Sequence, residues 1–217
     1  GTLTGTGDLT IAGTVSWTGG TMSGSGRTIV GSGGTLSIAG SSTSKYLGRI
    51  LRNEGEATLS SRLRFGPSGD LPGVLENAAG GTFTFEAAAR MDQYYSHSGH
   101  AFRNAGTVVK AVADTLTISG VRFESSGTVE LQSGILAASG GGSFSGTTTV
   151  TAGTLRLSGG TFELVDDAMM TGDGSVDLAG GMLVVNESVE ATFSNFTISG
   201  GTLTGTGDLT IAGTVSW

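Results

Sequence analysis

The chain has 217 residues, among them 40 glycines, two prolines and no cysteine, and carries a formal charge of −7 from 18 acidic and 11 basic residues. Without cysteine there is no disulfide framework and no thiolate metal site; the glycines are too many for a helical core, and the 37 % apolar content is too high for a disordered linker. Only Lys45 and Lys110 are lysines, no basic stripe presents itself to nucleic acid, and no apolar run nears the ~20 residues that span a bilayer.

In chain order the first element is also the last. Residues 1–17 read GTLTGTGDLTIAGTVSW, and residues 201–217 repeat that string at an offset of 200 positions. An identity of this length points to near-identical tandem copies, and a chain that runs on into a copy of itself is expected to be an open stack. A shorter period lies inside the long one. Paired glycines mark it at Gly19-Gly20, Gly141-Gly142, Gly159-Gly160, Gly180-Gly181 and Gly200-Gly201. In the middle the marker becomes Asn or Ser shortly before Gly, at Asn53-Glu54-Gly55, Asn77-Ala78-Ala79-Gly80, Asn104-Ala105-Gly106 and Ser125-Ser126-Gly127. Together they divide the 200-residue period into roughly nine units of roughly 18–26 residues.

Between markers the residues alternate. Leu9 and Ile11 flank Thr10, Leu36 and Ile38 flank Ser37, Leu63 and Phe65 flank Arg64, and Phe83 and Phe85 flank Thr84. The pattern continues with Leu116 and Ile118, Val129 and Leu131, Leu155 and Leu157, Phe162 and Leu164, and Val176 and Leu178. A period of two predicts short strands with the apolar pair inward and the middle residue outward. Such strands fit antiparallel hairpins in a sandwich or successive rungs of a parallel solenoid. A sandwich closes, so its copies would need linkers, whereas Ser199-Gly200-Gly201-Thr202 at the join reads like any other rung boundary. The reading is therefore one continuous β-solenoid over 1–217, rising about 43 Å per copy at ~4.8 Å per rung. Glycines supply the sharp corners, and Asn53, Asn77 and Asn104 are candidates for a stacked corner ladder, since Asn tolerates the left-handed region and can hydrogen-bond to the Asn one rung away. The regularity breaks at Ser41–Gly48, Gly66–Gly73 and Met91–Gly99, which are expected to project as loops; Glu86–Met91 has the composition of a single helical turn.

The segments AFRNAGTVVKA (101–111), VRFESSGTVELQSGILAASGGG (121–142) and TVTAGTLRLSGGTFEL (149–164) resemble the Asn-x-Gly-Thr-Val and Gly-Thr-Leu-x-Leu-x-Gly-Gly repeats of very large bacterial surface proteins. Those proteins are similar to autotransporter passengers and filamentous-haemagglutinin-type adhesins. The resemblance implies a right-handed parallel β-helix, a place outside the cell or on its surface, and a structural rather than enzymatic role as spacer or adhesin stalk. Neighbouring copies joined head to tail are the expected partners, with cell-surface glycans or proteins as further ones.

Candidate chemistry is sparse. The strings Gly5-Thr6-Gly7, Gly24-Ser25-Gly26 and Gly172-Asp173-Gly174 precede strands, not the helix a phosphate loop requires, and read as corners. TGDGSVDLAGG (171–181) echoes a calcium-binding repeat, which makes Asp173 and Asp177 weak metal candidates; no other cofactor is implied. Asp166-Asp167 is an adjacent acidic pair, and Glu130, Arg156 and Glu163 are candidates for one outward face, either as a sugar-cleaving constellation or as a ladder of charge pairs. Thr-x-Thr strings at Thr2, Thr82, Thr115 and Thr147 raise ice binding, but a flat ice face needs them on consecutive rungs. The richest cluster is MDQYYSHSGHAF (91–102), which offers Tyr94, Tyr95, His97 and His100 as a binding patch for sugar or protein, or a His-x-x-His metal site lacking a third ligand.

Overall fold

The computed structural model describes residues 1–40, 44–87, 89–165, 168–186 and 189–217. Every regular element among them is a strand, and the strands pair in parallel. They wind as a β-solenoid of about 10 turns with a three-sided section. Face I runs from Thr2–Leu3 through 20–23, 45–47, Arg62–Phe65, Arg90–Gln93 and Thr115–Ser119, then through Ile135–Ala138, 154–157 and 175–178 to 195–198. Face II runs from Leu9–Ile11 through 27–30, 50–53, Val74–Asn77, Ala101–Asn104 and Arg122–Ser125, then through Gly142–Phe144, 161–164 and 182–185 to Thr202–Gly205. Face III is the eight-stranded sheet from Thr14–Trp17 to Met169–Thr171.

The alternation read from the sequence orients these strands. In each apolar-polar-apolar triplet from Leu36-Ser37-Ile38 onward the two flanking residues are buried. Leu9, on the open first turn, stays 40 % exposed. One core runs the length of the stack, from Trp17 and Met22 to Phe193 and Phe196. Aromatic rings form its middle: Phe102 stacks on Phe123 at 5.3 Å, Phe123 meets Phe144 edge-on at 5.6 Å, and Phe144 lies over Phe162 at 6.2 Å. Gly142 lies in the same ladder. It occupies the inward position between Phe123 and Phe162 with φ 149°, and a Cβ there would lie 1.8 Å from the Phe123 carbonyl oxygen.

Three local expectations are corrected. Lys45–Gly48 is not loop but the start of the strand Lys45–Asn53, because Lys45 and Leu47 register on Leu63 and Phe65; residues 41–43 lie outside the described ones. Met91–Gln93 likewise belongs to a strand, with Met91 buried between Leu63 and Ile118, so the projecting loop is 94–100. The described residues of Glu86–Met91 form no helical turn: Ala87 adopts φ 56°, the Ala89 amide donates to the Ala87 carbonyl, and Arg90 opens a strand; residue 88 lies outside the described ones. The stretch 66–73 does project, between Arg62–Phe65 and Val74–Asn77.

Candidate functional site

Asn53, Asn77 and Asn104 each end a face II strand in mutual register, with their side chains inside the stack. Asn53 Nδ2 donates to Asn77 Oδ1 at 2.8 Å, Asn77 Nδ2 to Asn104 Oδ1 at 2.8 Å, and Asn104 Nδ2 to Ser125 Oγ at 3.0 Å. The same amides also donate to the carbonyls of Thr82, Thr107 and Thr128, which stitches face II to face III at the corner. These are side-chain bonds from the asparagine of one rung to that of the next, made without the left-handed backbone that asparagine tolerates. Among the described residues Ala87 is the only non-glycine with positive φ, and the asparagines act through inward side chains instead.

Outside that corner, alternating charges stack in register: Arg52, Glu76, Arg103 and Glu124. Arg103 lies 3.7 Å from Glu76 and 3.0 Å from Glu124, and Arg122 adds a 2.8 Å contact to Glu124. Burial pushes the Glu124 carboxyl up, but hydrogen bonds from Arg122 and Arg103 outweigh it and hold it below the usual carboxylate range. Arg52, Glu76, Arg103 and Glu124 line a groove of 340 Å³ that Ser143 and Ser145 extend. Glu130, Arg156 and Glu163, expected on one face, fall on faces III, I and II respectively and cannot act together. The face is set by which strand carries a residue, and outward alternation alone does not report it. The Thr-x-Thr strings divide between faces I and III, and Thr148 is buried.

The loop cluster divides into an exposed part and a structural part. Tyr94 and Tyr95 are 49 % and 51 % exposed, their rings in T-shaped contact at 5.0 Å. Tyr46 meets Tyr94 edge-on at 5.0 Å, and the Arg64 guanidinium lies 5.1 Å from the Tyr94 ring and 6.0 Å from that of Tyr46. Tyr46 and Arg64 are outward neighbours on face I, so a regular sheet holds the exposed rings in place. A hydrogen bond with Ser44 lowers the Tyr46 phenol, and Arg64 adds to the effect. Tyr46 and Arg64 carry no loop signature in the sequence; only the register from Tyr46 through Arg64 to Asp92 brings them under the tyrosines.

His100 is 1 % exposed and fully engaged. Its Nδ1 accepts from the Gly73 amide at 3.1 Å, and its Nε2 donates to the Tyr95 carbonyl at 2.9 Å, which fixes the tautomer and staples loop 66–73 to loop 94–100. Burial lowers its pKa. A Cβ on Gly66, at φ 78°, would lie 2.7 Å from His100 Nε2, so only glycine fits there. His97 Nδ1 accepts from the Gly99 amide at 2.9 Å. Both His100 nitrogens are thus engaged by the backbone, and its ring lies 5.6 Å from that of His97. Beside the loop, Gln93, Ser96, His97, His100 and Arg122 line a polar groove of 320 Å³.

Asp177 accepts from Arg156 at 2.8 Å and from Ser199 Oγ at 2.8 Å, while Asp173 is exposed and its carbonyl accepts from Asn195. Among the described residues no group of three or more His, Asp or Glu side chains is gathered to hold a metal. Asp166 and Asp167 lie outside the described residues. Sequence reasoning missed three buried cations. Arg49 Nε donates to Gly26 O at 2.8 Å and its Nη2 to Gly7 O at 3.2 Å, tying two turns at one corner. Lys45 and Lys110 point into the stack, Lys45 Nζ donating to Gly40 O at 2.9 Å and Lys110 Nζ to Ser133 O at 3.1 Å. Burial lowers the pKa of both lysines. Comparison with known proteins returned no match to any family model, curated protein or solved structure.

Proposed function

We propose that this chain is a non-enzymatic segment of an extracellular bacterial repeat fibre, serving as spacer or adhesin stalk. One observation carries the reading: the identical segments 1–17 and 201–217 each complete one turn, the first covered on one side by 20–38 and the second resting on 182–198. Every contact a further copy would need is therefore already described on one or other of them. Arg27 N donates to Asp8, Arg49 to Gly7 O and Thr35 Oγ1 to Thr14 Oγ1, and Asp208, Gly207 and Thr214 offer the same groups at the far end. Backbone hydrogen bonding from rung to rung, with a continuous core, supplies stiffness. Unpaired edges at both ends favour head-to-tail association.

A chain of two linked units tests this by small-angle scattering. The expected result is a single rod lengthened by about 45 Å per 200 residues at ~4.8 Å per rung. Two bodies tumbling independently would overturn it.

The fixed, exposed Tyr94–Tyr95 pair favours a second reading, a carbohydrate- or protein-binding module, because rigid aromatic rings offer contact area at small entropic cost. Glycan-array signal that disappears in Tyr94→Ala plus Tyr95→Ala supports it, and an array without signal removes the sugar half. A polysaccharide-acting enzyme is the weakest reading, since its candidate carboxylates Glu130 and Glu163 sit on different faces.

A further inference from the structure

The segment that occurs twice sits on different faces at its two occurrences. Thr2 and Leu3 lie on face I, opposite Thr21 and Met22, whereas Thr202 and Leu203 lie on face II, opposite Met182 and Leu183. Leu9–Ile11 is on face II, but 209–211 pairs with 191–193, which pack on Met169–Thr171 and so continue face III. Thr14–Trp17 is on face III, but 214–216 pairs with 195–197 of face I.

Local structure is carried over unchanged while the face advances by one. Gly5 has φ 129° and Gly205 has φ 130°, yet Gly5 turns the chain from face I to face II and Gly205 from face II to face III. The inward set is also kept. Leu3, Ile11 and Val15 register on Met22, Val30 and Leu36, and Leu203, Ile211 and Val215 on Leu183, Phe193 and Phe196. The glycine-pair corner shows the same slip. Gly20, at φ 94°, leads into face I, whereas Gly141, Gly160, Gly181 and Gly201, at φ 73°, 73°, 74° and 79°, lead into face II. Face I strands open turns at residues 2, 20, 45, 62, 90, 115, 135, 154, 175 and 195, and the repeat resumes one face later, at Thr202. Two hundred residues therefore make nine turns and one third.

We infer that successive 200-residue units join with a rotation of one face, so that the Tyr94–Tyr95 loops of consecutive units leave the rod on its three sides in turn. This rests on the repeat-fibre reading above. Any one side then presents the loop once in three units, about 135 Å apart at ~4.8 Å per rung, not once in each unit at about 45 Å. A partner of these loops meets the fibre from all around it, and a flat surface engages only every third unit.

The chain has no cysteine, so Ser96→Cys in every unit of a six-unit chain gives one thiol per unit for maleimide-gold. Electron cryomicroscopy that resolves the three-sided section then assigns each gold to a face. Gold advancing by one face per unit supports the inference; gold on one face in all units overturns it while leaving the fibre reading intact. Units that tumble separately overturn the fibre reading, and the inference with it. The single chain gives an independent check: Val184→Cys with Thr204→Cys, outward partners in register on face II, is expected to close a disulfide on oxidation. A failure to close in folded protein counts against the one-face advance.

Discussion

Asn77 donates from Nδ2 to Oδ1 of Asn104, 27 residues later in the chain and one turn along the stack, at 2.8 Å. The bond runs inside the core, and each partner keeps its neighbour's amide satisfied. Asn77→Ala removes the acceptor of Asn53 and the donor to Gly81 and Thr107 at once. Leaving several buried groups unpaired is expected to lower stability by about 2–4 kcal/mol, read as a shift in the midpoint of chemical denaturation. A loss below ~0.5 kcal/mol, the range of ordinary surface changes, would show that water replaces the ladder.

Leu157 and Arg156 are adjacent but face opposite ways. Leu157 is fully buried on Ala138 and Leu178, and Leu157→Asp, which places an unpaired carboxylate in the core, is expected to cost about 4 kcal/mol or more. Arg156 is 43 % exposed and pairs with Asp177, so Arg156→Ala should cost about 1 kcal/mol or less. Equal effects in thermal unfolding would refute the inside–outside assignment.

Gly142 and Gly33 give a contrast at two turns of the stack. Gly142→Ala meets both an unfavourable φ and the Phe123 carbonyl, and is expected to cost more than about 2 kcal/mol. Gly33 has nothing within 4 Å of its added Cβ, so Gly33→Ala should stay within about 0.5 kcal/mol of the parent. Near-ultraviolet circular dichroism would report the accompanying disturbance of the phenylalanine stack in the first variant alone.

His100 makes stability depend on pH. Its folded pKa lies below the ordinary 6.5 because burial disfavours the imidazolium. Below 6.5 the unfolded chain takes up a proton that the folded chain refuses, so this contribution is complete above 6.5 and is lost as pH falls toward the folded value. The slope is at most about 1.4 kcal/mol per pH unit. Denaturation midpoints at pH 7.5, 6.5 and 5.5 measure it, and His100→Gln, which retains a donor and an acceptor, is expected to flatten the curve. An unchanged slope in that variant would assign the effect to another group.

The fold was legible because two signals agree: alternation at period two, set by which face of a strand is buried, and a recurrence that leaves no room for linkers. Leu155-Arg156-Leu157 states its own orientation in three letters. What the sequence does not state is the face. Glu130 and Glu163 look equivalent one strand at a time and end up on different sides, because assignment to a face accumulates over every corner between them. The same limit hid the partners of the tyrosines: Tyr46 and Arg64 reach Tyr94 only through a register spanning the irregular stretch 66–73. Asn77 stands four residues before Gly81, where Asn53 and Asn104 stand two before Gly55 and Gly106, yet it is in step in space because the two extra residues are absorbed in the turn before Gly81. The burial of Lys45 and Lys110 had no sequence signal beyond their standing at inward positions of alternating strands.

Those two lysines leave the folded molecule almost without amine chemistry. Both are 1 % exposed, so acylating reagents, aldehyde fixatives and lysyl-modifying enzymes find no exposed lysine until a turn opens. Amine-reactive dyes thereby become gauges of local fraying, with Lys45 reporting from the third turn and Lys110 from the middle of the stack.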